Sequence, residues 1–266
     1  KDFSFCDAYA PLDFSGMRAC EARAWAAFNI LCDGKFTFMD ENGNEVTKDA
    51  YDYIEYAMGH DKTKRFPLFV KPSRKISVKD VADVMRDHYE NTPLDMRKDI
   101  GAGGFELPYR WRPSSFEVDS VRYTNERAIA TQQTGFWMVG QARPEKTGIL
   151  WFGVDDAATS CLTPIYCNAT EVAECFKEDN GSMLEYTPTS AFWLFNRVTN
   201  FAYMRYDMIS ADIRKVIDFW EKSMLEAVEF TDRTASEFSQ AKQKKYYTRF
   251  SVNTANELFK NWSRLD

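Results

Sequence analysis

Apolar residues at helical spacing mark the stretch from Met17 to Cys32. There Ala24, Trp25, Phe28, Ile30 and Leu31 are spaced for burial, and Gly34 ends the run. Pro11 to Gly16 (PLDFSG) reads as the loop before it. KFTFMDENGNEV predicts a short hairpin around the Asn42-Gly43 turn. A second helix is predicted from about Ser77 to Tyr89. Ser77 is its cap, Asp80 stands three residues on, and Val81, Val84, Met85 and His88 share one face.

The clearest strand signal is RAIATQQTGFWMVGQARPEKTGILWFGVDD. It predicts a strand over Ala128 to Gln141, a turn over Arg143 to Gly148 and a second strand over Ile149 to Val154, close enough for an antiparallel pair. Thr159 to Tyr166 is a candidate third strand. Phe136 to Val139 is a continuous apolar run, the pattern of a strand buried on both faces. From Ser190 onward the pattern is mostly helical. FWLFNRVTNFAYMRY is amphipathic, and Val216, Ile217, Trp220, Met224, Leu225 and Val228 continue a stripe. Thr254 with Glu257 predicts the capping box of a last helix, NELFKNW. No repeat or low-complexity linker divides the chain. The pattern therefore predicts one α+β domain over residues 1–266, a small antiparallel β element enclosed by helices.

Composition narrows the function classes. With 44% apolar and 15% aromatic residues among 266, the chain can bury a sizeable core. No apolar run is long enough for a membrane helix, so a membrane partner is not expected. A net charge of −6 weighs against a nucleic-acid partner, and the basic run KQKKYY suits a solvated helix face. Six cysteines without a CxxC pair and two distant histidines, His60 and His88, give no zinc pattern, and no metal or other cofactor is expected.

His88, on an apolar stripe, reads as a packed and hydrogen-bonded histidine, with catalysis as the alternative; His60 reads as a loop histidine. The glycines of DIGAGGFELPYRWRP lack the Gly-Lys-Ser/Thr ending of a phosphate loop, so an irregular aromatic loop is expected. Asp155-Asp156 follows the second strand. Such a pair forms a turn beside a sheet, or works as acid and base, or holds a cation.

Three strings go further. DFSFCDAYAPLDFSGMRACEARAW, TQQTGFWMVGQARP…GILWFGVDDAATSCLTPIYCNAT and SAFWLFNRVTNFAYMRYDMISADI occur in order over nearly the whole chain. They resemble the later part of the dipeptidase A family, bacterial cysteine peptidases of the N-terminal-nucleophile superfamily akin to penicillin and bile-salt amidases. The resemblance implies a four-layer αββα sandwich and hydrolysis of short peptides through a thioester. It implies a nucleophilic Cys at the first residue of the mature protein, with the Cys's own α-amino group as general base. Lys1 is not a Cys, and the family's opening strand and oxyanion asparagine have no counterpart here. The chain therefore reads as the C-terminal half to two-thirds of such a peptidase and is expected to be inactive alone.

In the amidase relatives an arginine at a helix start shapes the nucleophile's surroundings. MRACEARAWAAF resembles that helix start, with Arg23 before the Ala-aromatic run and Arg18 one turn earlier. A guanidinium there would lower a thiol's pKa and could grip a substrate carboxylate. As residues of a solvated helix face, Arg18, Glu21 and Arg23 need no chemistry. Glu126 has a weaker claim. Cys6 and Cys20, without a free amine of their own, are expected to be small buried residues.

The implied partners are a peptide substrate, the N-terminal part of the same protein and, with less support, a second copy of the chain. Export to the periplasm or beyond is slightly favoured over the cytoplasm, because relatives often carry leaders. Two other readings stand beside this one. An amidase of the same superfamily would take acyl-amino acids or bile-salt-like amides. A non-catalytic peptide or glycan binding module would use Trp25, Trp111, Trp137, Trp151, Trp193, Trp220 and Trp262 as stacking platforms.

Overall fold

A computed structural model describes residues 3, 5–9, 12–110 and 115–266. It combines helices with small antiparallel sheets in an α+β chain and divides into two compact units, residues 1–131 and 132–266. Among the described residues no helix is long and apolar enough to cross a membrane.

In the first unit, helix α1 (Phe5–Tyr9) precedes a near-continuous helical run: α2 (Phe14–Gly16), a π-helical turn (Met17–Glu21) and α3 (Ala22–Leu31). Asp13 starts it by accepting a hydrogen bond from the Gly16 N–H at 2.6 Å. The helix therefore begins three residues before the predicted Met17. Trp25 is fully buried, and its indole N–H donates to the Ala50 carbonyl at 2.8 Å. Around it Met17, Phe36, Tyr53, Tyr56, Phe66 and Tyr89 form one apolar core. Strands β1 (Lys35–Met39) and β2 (Glu45–Asp49) make the predicted hairpin, with Gly43 at φ +80 in the turn, where a side chain would be strained. A short helix α4 (Ile54–Ala57) follows.

Helix α5 (Val78–Met85) carries the predicted capping box of Ser77 and Asp80, reinforced by Arg74, which donates to both Asp80 oxygens at 2.6 and 2.9 Å. It ends four residues earlier than expected. His88 thus lies beyond the helix, and Tyr89 turns the chain in the left-handed region at φ +64. Strands β3 (Ser115–Val118) and β4 (Val121–Thr124) form a second hairpin. In the glycine-rich loop Asp99 accepts from the Ala102 N–H and pairs with Arg110, so the turn is closed by the chain's own carboxylate.

In the second unit β5 (Phe136–Gln141), β6 (Ile149–Val154) and β7 (Thr163–Tyr166) form an antiparallel sheet in that order. The first strand is shorter than predicted, because residues 128–135 are irregular. Gly153 faces Trp137, and a Cβ there would sit 2.5 Å from the indole nitrogen, so the strand pair closes only with glycine at that position. Helices α6 (Ala191–Met204), α7 (Tyr206–Ala235) and α8 (Gln240–Trp262) complete the unit. The stripe of α7 buries Ile217, Trp220, Met224 and Val228. On α8, Tyr247 stacks on Tyr166 of β7 at 4.0 Å, and Trp262 stacks on Phe195 of α6 at 4.4 Å.

Two predictions fail in this unit. Thr254 does not cap a last helix: it lies inside α8, where its hydroxyl donates to the Phe250 carbonyl, and the helix starts after Ser239. A Thr hydroxyl can satisfy the preceding turn from mid-helix, so its pattern with Glu257 mimics a start. Nor is β5 buried on both faces. Trp137 and Val139 are buried, while Phe136 and Met138 are 62% and 54% exposed.

Candidate functional site

The π-helical turn before α3 widens the helix by one residue per turn and carries Arg18, with Arg23 one turn further on; such insertions are frequent at functional sites. Arg18 is nearly buried. One Nη donates to Glu126 Oε1 in a short ion pair, and the other donates to the Met58 carbonyl at 3.4 Å. The Phe14 ring lies under the guanidinium at 5.2 Å. Glu126 comes from the segment after β4, so the pair joins residues 108 positions apart. Glu21, also buried, faces Arg65 at 3.8 Å.

Arg23 differs. Its Nε donates to the Ala19 carbonyl at 2.5 Å, and its two Nη groups take no partner among the described residues. It is half-buried, and Arg23, Glu126 and Arg18 all act electrostatically on the buried Tyr89 phenol. A fixed cation–carboxylate pair thus stands beside a second guanidinium whose fork is open. That arrangement can hold an anionic group bidentately.

The remaining candidates fall elsewhere. His88 is 1% exposed; its Nδ1 meets Glu90 Oε1 at 3.1 Å and its Nε2 meets the Tyr109 hydroxyl at 2.8 Å, the engagement of a packed histidine. Beside it burial, with the Glu90 charge adding, pushes the Asp87 carboxyl up. His60 is an exposed loop residue facing Glu55 at 3.0 Å.

Asp155 and Asp156 are both buried in the second unit. Asn196 donates to Asp155 Oδ1 at 3.0 Å, Thr199 also acts on the Asp155 carboxylate, and Tyr203 donates to Asp156 Oδ2 at 2.9 Å. Burial pushes the Asp155 carboxyl up to about 6. Among the described residues no group of three or more His, Cys, Asp or Glu could hold a metal ion.

The cysteines divide differently from expectation. Cys20 is exposed rather than buried: it lies in the π-turn, whose buried positions are Met17 and Glu21, and the Cys6 side chain lies outside the described residues. Cys32, Cys161 and Cys175 are buried and Cys167 is exposed; all four are free thiols. Burial pushes the Cys175 thiol up to about 11, which suits a packing residue and not a nucleophile. Trp25, Trp137, Trp151, Trp220 and Trp262 are core residues and offer no stacking platform; Trp111 lies outside the described residues.

Residues 1–219 match the model of peptidase family C69. Over 209 residues the chain is 24% identical to a protein named probable dipeptidase B from Lactococcus lactis subsp. lactis (strain IL1403), covering 77% of this chain and 39% of that protein. Over 167 residues it is 23% identical to a probable dipeptidase from Latilactobacillus sakei, covering 61% of this chain and 32% of that one. The chain thus spans well under half the length of the curated relatives it matches.

Proposed function

The chain belongs to peptidase family C69, and from that premise we propose that it is part of a cysteine dipeptidase. In this reading short peptides are cleaved through a thioester on an N-terminal Cys that none of these residues supplies. The nucleophile's own amine acts as base. The observation that carries the proposal is the open Arg23 fork beside the closed Arg18–Glu126 pair. A dipeptide always presents a carboxylate about one residue from the bond to be cut, and a guanidinium held on a helix recognises it at fixed range. Arg18, held in place by Glu126, supplies a stationary positive charge that lowers the pKa of a nearby thiol or amine.

The finer fold assignment rests on the second unit. One face of the β5–β7 sheet packs on α7 and α8, while the other shows Phe136 and Met138 to water. A helix layer and a sheet with an apolar open face fit one half of an αββα sandwich.

The test compares substrates and one variant in the full-length protein that carries this region. A free dipeptide should be hydrolysed and its activity abolished by thiol alkylation, while this chain alone should release nothing. Arg23→Ala should lower kcat/KM on the dipeptide roughly a hundredfold with little change in Tm. Faster turnover of an N-acyl amino acid than of the dipeptide would move the reading to an amidase. Unchanged kcat/KM in Arg23→Ala would remove Arg23 from the site.

A further inference from the structure

Tyr89 is the least ordinary residue near the arginine pair. It is fully buried, yet a bulky side chain holds φ +64, a conformation that persists only where the surroundings enforce it. The enforcement is visible. Its carbonyl accepts from the Thr92 N–H at 3.1 Å and from the Thr92 hydroxyl at 2.7 Å. The next residues are tied down by Asp95, which accepts from the Asn91 N–H at 2.9 Å. Burial, with the Asp87 charge adding, keeps the phenol protonated, so it is a donor.

That donor is spent on one atom. The Tyr89 hydroxyl bonds the Arg127 carbonyl at 2.7 Å, the residue directly after Glu126. A second stitch joins the same two segments, from the Ala130 N–H to the Asp87 carbonyl at 3.1 Å. β4 ends at Thr124, so Glu126 and Arg127 stand on irregular backbone past the hairpin. The charged groups that act on the phenol are Asp87, Arg23, Glu126 and Arg18.

We propose that Tyr89 is a positioning residue for the candidate site: its hydroxyl fixes the 126–127 backbone, which sets Glu126 against Arg18 and keeps the guanidinium stationary. The inference rests on the peptidase reading of the arginine pair. Without the hydroxyl, Glu126 and then Arg18 gain freedom. The positive potential at the reacting thiol and amine weakens, and the group that must lose a proton does so at higher pH.

Tyr89→Phe removes one oxygen and keeps the ring, so the core should survive. In the full-length enzyme the acid limb of the kcat/KM profile on a dipeptide should move up by a few tenths of a pH unit, with kcat/KM below neutrality about tenfold lower. Glu126→Asp, which keeps the charge and draws the carboxylate back from Arg18, should move the limb the same way, and the double variant should add little to either single one. Should Tyr89→Phe not fold, a Glu126→Asp limb that stays at the wild-type pH would still overturn the proposal.

Arg18→Lys separates the two readings. If Arg18→Lys shifts the limb while Tyr89→Phe lowers only Tm and leaves the limb in place, the positioning role is wrong and the site stands. If Arg18→Lys leaves the limb in place, the site reading falls. A shift in Tyr89→Phe alone would then show an action not routed through Arg18, which also overturns the proposal.

Discussion

In residues 1–131 the nearly buried Arg18 meets the carboxylate of Glu126, whereas in residues 132–266 the buried Asp155 meets no cation, only neutral donors such as Asn196 and Thr199 and a like-charged neighbour, Asp156. Both arrangements place charge out of water, and they answer its cost differently. The first unit sets an opposite charge against it at hydrogen-bond range. The second supplies no cation and shifts the proton equilibrium instead. A matched pair is harmed by losing either member, while an unmatched acid is relieved when its charge is removed.

The largest expected effect follows from the matched pair. Glu126→Ala strands the Arg18 guanidinium in a site 13% exposed, and should cost about 3 kcal/mol of folding stability. Urea denaturation of the chain measures it. A loss under about 1 kcal/mol would show that the pair behaves like a surface contact.

Asp155→Asn should do the opposite. The folded-state pKa of Asp155 lies above its ordinary value, so the folded state holds a proton that the unfolded state has lost between about pH 4 and about 6. Stability therefore falls as pH rises through that window and stays lower above it. The amide variant should escape the loss, gaining up to roughly 3 kcal/mol at pH 7 and almost nothing at pH 4. Thermal melts of both proteins across this range decide the matter, and an equal gain at both pH values would contradict the assignment.

The smallest effect concerns apolar rather than charged exposure. Met138→Lys on the open face of the β5–β7 sheet should change stability by less than about 0.5 kcal/mol while reducing self-association and hydrophobic-dye binding of the chain. A chain already monomeric and dye-free before the change would show that this face needs no cover.

Local rules carried much of the fold. The Asn42-Gly43 hairpin, the Ser77–Asp80 capping box, the pairing of β5 with β6 and the α7 stripe all depend on residues a few positions apart, and each formed, although β5 starts later than expected and Leu225 of the stripe is exposed. The site was half legible in the same way. Arg18 and Arg23 stand out on one helix start, but Glu126 reaches Arg18 from 108 residues away, and Tyr89 left no local mark. Its only advance signal was membership of a predicted helix that in fact stops at Met85.

By itself, then, the sequence determined the helices, the turns, the strand pair and the motifs that resemble a peptidase family, because capping, periodicity and turn chemistry act over one or two turns of chain. Tertiary structure alone decided which guanidinium is closed by a carboxylate and which stays open, how deep Asp155 sits, and which face of β5 meets water. Those outcomes depend on which distant segments exclude solvent from a side chain, and solvent exclusion sets both the strength of a charge pair and the cost of leaving one unmatched.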